Sequence, residues 1–151
     1  MSAHHQVLII GGGTAGIMVA AQLKRKSKNV DIGLVEPSEK HYYQPAWTLV
    51  GANTYDFDKT ERDMSSLIPD GVKWIKEHAD TFVPDQNKVI TAEGSELTYD
   101  FLVVCPGLRM APELVPGLTE AMEKGIVCSN YTDPKHTWEV LQNFKGGNFK
   151  V

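Results

Sequence analysis

An α/β fold is what the sequence predicts: a parallel sheet holding a βαβ unit, with a small antiparallel β-meander added. Three features predict it. The first is the run Val7-Leu8-Ile9-Ile10, which leads into Gly11-Gly12-Gly13-Thr14-Ala15-Gly16 and an amphipathic stretch over 17–26. The second is another apolar run at 30–35 that ends on Glu36. The third is a series of short apolar stretches between 72 and 99, followed by the continuous run Phe101-Leu102-Val103-Val104-Cys105. Continuous apolar runs suit strands buried on both faces of a parallel sheet, whereas short ones at turn spacing suit hairpins.

Gly11, Gly13 and Gly16 fit G-x-G-x-x-G, and each position has a physical job. The first glycine lets the strand turn sharply, the second admits a pyrophosphate close to the backbone, and the third lets helix and strand pack tightly. Phosphates would sit at the helix N-terminus, where free N–H groups and the positive end of the dipole favour anions. Ala20 and Leu23 continue the apolar face of that helix. Glu36, twenty residues after Gly16, stands where an acid accepts hydrogen bonds from the hydroxyls of an adenosine ribose. A glycine turn with a surface acid is the plainer alternative, but strand, turn, helix, strand and acid in register favour a Rossmann-like dinucleotide site.

A chain of 151 residues suits one core, and its 42% hydrophobic and 23% charged residues are ordinary for a globular protein. A formal net charge of −4 offers no basic field for nucleic acid. No apolar run has bilayer-spanning length, and the first strand begins almost at once, so a cytoplasmic protein is expected. His4 and His5 read as a solvated tail rather than metal ligands. Cys105 and Cys128 match no disulfide framework or zinc motif, and no metal site is expected.

Beyond Glu36, residues 37–45 read as a polar, aromatic loop and 46–51 as a short helical turn carrying Trp47 and Leu49. Residues 53–62 read as an exposed loop, 63–68 as a helical turn, and Pro69-Asp70-Gly71 as a tight turn. The meander is expected over about 72–99. Later, 125–128 suggests a short strand, and Asp133-Pro134 a helix start, with Asp as N-cap and Pro at the first helical position. That helix would run to about Phe144, burying Trp138, Leu141 and Phe144, with Gly146-Gly147 closing it. Asn148-Phe149-Lys150-Val151 looks like a strand beginning.

Three blocks together resemble the flavoproteins with two dinucleotide domains: the glycine turn with Glu36, the meander over 79–90, and Tyr99-Asp100-Phe101-Leu102-Val103-Val104-Cys105-Pro106-Gly107. That family usually ends the third block in Ala-Thr-Gly; here Cys-Pro-Gly keeps the glycine and loses the threonine. Within that superfamily the chain is similar to the sulfide:quinone oxidoreductases, the mitochondrial branch above all. The residues concerned are Val35-Glu36-Pro37-Ser38-Glu39-Lys40-His41-Tyr42-Tyr43-Gln44-Pro45-Ala46-Trp47-Thr48-Leu49-Val50-Gly51-Ala52, Ile68-Pro69-Asp70-Gly71-Val72-Lys73-Trp74-Ile75-Lys76 and Ser129-Asn130-Tyr131.

The resemblance implies FAD as cofactor. Gly11, Gly13, Thr14, Ala15 and Gly16 would lie at its pyrophosphate, Glu36 at its ribose, Ala79 at its adenine, and Gln44 and Gly107 near the cofactor. It implies an FAD-binding domain over 1–112 and, over 113–151, a truncated connection into a second dinucleotide-type domain. Sulfide would attack a cysteine–sulfur bridge to give a persulfide, with electrons passing through FAD to a membrane quinone. The main redox cysteines and the membrane-docking segment are expected beyond Val151, the full-length protein then being peripheral at the membrane and this piece inactive. Cys128 is a candidate for a redox role, though a small buried residue at a strand end is the preferred reading; Cys105, His41 and His136 receive no role. The piece alone should hold FAD poorly and self-associate through apolar residues such as Trp47 and Leu49. A relative of the type II NADH:quinone dehydrogenases and a non-catalytic dinucleotide-binding domain stay open as alternatives.

Overall fold

The computed structural model describes residues 2–148. The strands are β1 (Ser2–Ile10), β2 (Ile32–Val35), β3 (Lys40–Tyr42), β4 (Glu61–Asp63), β5 (Val72–Ile75), β6 (Ala79–Val83), β7 (Lys88–Thr91) and β8 (Glu96–Val104). The helices are α1 (Thr14–Lys26), α2 (Trp47–Gly51), α3 (Leu118–Glu123) and α4 (Pro134–Asn143). They divide into two units: residues up to 41 with 62–108, and 42–61 with those from 109 onward.

The first unit is organised by a six-stranded sheet of order β5-β2-β1-β8-β7-β6. β1 pairs in parallel with β2, Val7 opposite Ile32 and Ile10 opposite Val35, and in parallel with β8 along its whole length. Alternation along β1 feeds two cores, as a period-two strand must. Leu8 and Ile10 pack with Val35, Val89, Leu97 and Tyr99, while Val7 and Ile9 pack with Ile32, Leu34 and Ala20 of α1. Ile9 is fully buried, so truncating it to alanine should cost about 2–5 kcal/mol. α1 carries Lys24, Arg25 and Lys26 in its last turn, where the negative end of the dipole favours cations.

Three expectations for this unit need correction. The meander does not begin at Val72: β5 pairs in parallel with β2, and only β6, β7 and β8 are antiparallel. The stretches 97–99 and 101–105 are one strand, because β8 takes β7 on one side only as far as Thr98 while following β1 throughout. His4 and His5 are no solvated tail, since β1 starts at Ser2. His5 is 3% exposed with its Nδ1 2.7 Å from Asp31 Oδ2, and His4 meets Thr98 Oγ1 at 3.0 Å.

In the second unit, α2 packs on α4. Gly51 lies against Asn130, leaving no room for a side chain. Asp133 caps α4, accepting a hydrogen bond from the His136 N–H at 2.9 Å, with Pro134 at the first position as expected. Other expectations fail here. Residues 125–128 form no strand. Leu141 and Phe144 are 38% and 44% exposed rather than buried, and the glycine pair does not cap α4, although the helix ends at Asn143 with Phe144 as its C-cap, where its end was expected. Residues 53–62 are more than a loop: Phe57–Thr60 is a 3₁₀ turn with an Asp56 cap, and Thr60 is buried. Of the strand expected over 148–151, Phe149, Lys150 and Val151 lie outside the described residues, as do the redox cysteines and docking segment expected beyond Val151.

Candidate functional site

The first unit brings most of the expected site residues to the carboxyl ends of β1, β2 and β8, the edge where open α/β sheets take their ligands. β1 ends at Ile10, whose carbonyl accepts a hydrogen bond from the Cys105 N–H at 2.7 Å. Gly11 then turns the chain with φ +97°, and a Cβ there would overlap the Cys105 carbonyl oxygen. Only glycine meets both demands. Gly16 has its own reason, since a Cβ there would overlap the Gly11 carbonyl oxygen.

Gly13 is different. Its φ of −69° and ψ of −173° suit any residue, and a Cβ built on it meets nothing within 4 Å. It is the N-cap of α1, yet no side chain caps the helix and no acid stands in the first turn. Thr14 and Ala15 follow at the exposed start of the helix. First-turn N–H groups have no intrahelical partner, so this end offers donors and a positive dipole into open space.

Glu36 is half-buried beside that turn rather than a free surface acid. Its Oε2 accepts from the Gly12 N–H at 2.7 Å and its Oε1 from the Ser38 N–H at 2.8 Å. A carboxylate has about four lone-pair sites, so two backbone donors fix its plane and leave acceptor capacity for hydroxyls. Gly12 is required as well, because a Cβ there would sit 2.7 Å from Glu36 Cβ and Cγ. The sequence motif treats that position as free, and its being glycine was the only available signal.

Ala79 opens β6 and packs on the cluster containing Ile10 and Val35, the residues just before Gly11 and Glu36. Gly107, φ +71°, lies two residues past Cys105 with open space about it. Gln44 belongs to the second unit, exposed at the start of a 3₁₀ turn. There Trp47 is no open flavin-facing ring: its Nε1–H donates to Thr60 Oγ1 at 3.2 Å and its ring packs on Tyr42 and Phe57. Leu49 is 48% exposed. Cys105 and Cys128 are free thiols, both half-buried. Cys128 ends no strand, and His136 Nδ1 stands 3.6 Å from Glu139. Among the described residues no group of three or more His, Cys, Asp or Glu could hold a metal ion, and no helix is long and apolar enough to cross a membrane.

Residues 5–140 match the family model of the pyridine nucleotide-disulphide oxidoreductases. The chain is 44% identical over 97% of its length to the mitochondrial sulfide:quinone oxidoreductase of Dictyostelium discoideum, and 40% identical over 96% to that of Mus musculus. It spans 33% of each of those relatives. Among solved structures it is similar to the sulfide:quinone oxidoreductase of Aquifex aeolicus, with a TM-score of 0.71 at 24% identity over 92% of this chain and 30% of that one. The NDH2 of Plasmodium falciparum matches with a TM-score of 0.58 at 15% identity over 77% of this chain and 25% of that one.

Proposed function

Because the chain belongs to the pyridine nucleotide-disulphide oxidoreductase family, a family of FAD-dependent oxidoreductases, we propose that it is the N-terminal third of a sulfide:quinone oxidoreductase. The observation that carries the reading is the donor set at the end of β1. An uncapped helix N-terminus with clear space at Gly13 stands beside an acid held by two backbone N–H groups. That set fits the pyrophosphate and ribose of FAD. The identity to the two mitochondrial sulfide:quinone oxidoreductases supports the reaction class.

In this reading the N–H groups of Thr14 and Ala15 take the pyrophosphate oxygens, with Gly11, Gly13 and Gly16 shaping the cradle. Glu36 takes the ribose hydroxyls, Ala79 offers backbone groups to the adenine, and Gly107 lies near the cofactor. FAD, when bound, supplies a two-electron relay between a sulfur donor and a quinone. Hydrosulfide attacks a cysteine–sulfur bridge, forms a persulfide and displaces a thiolate; the thiolate and the persulfide then rejoin through a new S–S bond, releasing a proton and two electrons, and quinone takes two electrons with two protons to become quinol. The cysteines that do this lie beyond Val151, outside this chain, and residues 113–151 lead into the second dinucleotide-type domain. The chain alone therefore does not turn over, holds FAD weakly, and self-associates through exposed apolar residues such as Leu49 and Phe101, which is 70% exposed. The full-length enzyme is peripheral at a membrane, where its quinone is found.

The test is the absorption spectrum of the full-length protein under anaerobic conditions. A flavin spectrum bleached by sulfide and restored by a soluble quinone is the expected result. Bleaching by NADH and not by sulfide points to the second reading, a type II NADH:quinone dehydrogenase. That reading is favoured by the 24% identity to an alternative NAD(P)H-ubiquinone oxidoreductase of Arabidopsis thaliana, over 96% of this chain and 31% of that one. No flavin at all sinks both.

A further inference from the structure

We infer that Trp74 is a positioning residue for the ribose acid Glu36, an inference that rests on the FAD reading above. The β2–β5 ladder ends with Val35 opposite Ile75, and the Glu36 N–H still reaches the Ile75 carbonyl at 3.0 Å. At the other end of the same residue, the Glu36 carbonyl takes its donor from a side chain rather than from the backbone of β5. That donor is the indole Nε1–H of Trp74, at 2.7 Å. Glu36 is thus gripped on its main chain by two neighbouring residues of β5 and on its carboxylate by Gly12 and Ser38.

The indole is itself held in place. Lys76 Nζ lies 4.3 Å from the centre of the Trp74 ring and 2.6 Å from Glu39 Oε1. Glu39 is three residues beyond Glu36, so β5 and Lys76, the residue just after it, hold both ends of the short acid-bearing segment. A residue whose only task was to fill space would not need the indole nitrogen. Here the nitrogen replaces a missing ladder donor at the residue whose side chain must point at a ribose. Holding an acid in one orientation before its ligand arrives lowers the ordering cost of binding.

The test uses Trp74→Phe, which keeps an aromatic ring for the Lys76 amine to face and removes the indole N–H. The probes are ADP, which carries the ribose and pyrophosphate, and 2′,3′-dideoxy-ADP, which lacks the hydroxyls. Affinities come from titration calorimetry, with the Gly12 amide resonance as a second readout, because that N–H reports where the Glu36 carboxylate sits. Trp74→Phe should weaken ADP about three- to tenfold, leave dideoxy-ADP unchanged and shift the Gly12 amide in the free protein, as expected for partial loss of a charged hydrogen bond. Equal weakening of both probes makes Trp74 merely structural and overturns the inference; so does no weakening of either. A wild-type chain that binds the two probes alike overturns the ribose role of Glu36 instead, and with it the premise. If Trp74→Phe does not fold, Trp74→Tyr, whose hydroxyl cannot reproduce the indole geometry, is held to the same three outcomes.

Discussion

Placing a side chain at Gly13 separates ligand binding from folding more cleanly than any other change in this site. Gly13→Val puts a Cβ where nothing lies within 4 Å, on a backbone whose φ of −69° is ordinary for an L-residue. An apolar N-cap costs about 0.5–1 kcal/mol, and the lower entropy of the unfolded chain returns about 0.4–1 kcal/mol. Stability of the ligand-free protein should therefore stay nearly unchanged. The same side chain stands between the helix N-terminus and a pyrophosphate. Each charge-assisted hydrogen bond it prevents is worth about 1.5–3 kcal/mol, or about tenfold to 150-fold in Kd. Thermal unfolding of the ligand-free protein and titration of the full-length apoprotein with FAD, followed by flavin fluorescence, measure the two quantities separately. A variant that takes up FAD as tightly as wild type shows that the space at Gly13 is not the phosphate site. A variant that melts well below wild type shows that the glycine serves the fold.

Gly11→Ala should do the reverse of Gly13→Val, because φ +97° and the overlap with the Cys105 carbonyl strain the folded state. A loss of about 1–3 kcal/mol in urea unfolding is expected, and an unchanged midpoint would refute the steric argument. Glu36→Ala removes the acceptor of the Gly12 N–H, so it should cost about 1–3 kcal/mol of stability as well as weaken ADP; loss of affinity with no loss of stability would mean the N–H finds another partner. The Lys76 amine beside Glu39 holds that carboxyl below its ordinary pKa. A depressed folded-state pKa stabilises above the unfolded value, and the benefit vanishes as pH falls through the folded one. Glu39→Gln should flatten that part of the acid limb at low salt, and superimposable limbs count against the pairing.

The fold was legible where the message was local. Four apolar residues before a glycine turn, a helix with Ala20 and Leu23 on one face, and a second apolar run gave the β1–α1–β2 unit, and the parallel register of Val7 with Ile32 follows from it. What misled was strand direction. Val72-Lys73-Trp74-Ile75 has the length of a hairpin strand, and nothing in four residues says whether its partner lies before or after it in the chain. Its neighbour is β2, almost forty residues back, reached through Pro69-Asp70-Gly71. His5 misled for a related reason. A histidine near the start of a chain reads as tail until the fold brings Asp31, just before β2, beside it and Gly33 of β2 beneath its ring.

Much the same division runs through the site. Gly11, Gly13 and Gly16 were legible because they share a single turn, yet the structure gives them unequal meanings. Gly11 and Gly16 are glycine because protein atoms fill the space a side chain would need, and Gly12 joins them on account of Glu36. Each would be required in a turn that bound nothing. Among the glycines of this turn Gly13 alone meets no neighbour, so its lack of a side chain has no explanation inside the first unit. A motif of three glycines is therefore weaker testimony for a ligand than it looks, and one of its members is stronger testimony than the other two together. Glu36 repeats the point: its spacing was readable, but the hold of Gly12, Ser38 and Trp74 on it was not, since Trp74 stands thirty-eight residues away. Residues that touch a ligand can be found by local pattern, whereas residues that aim them are recruited wherever the sheet happens to bring a donor.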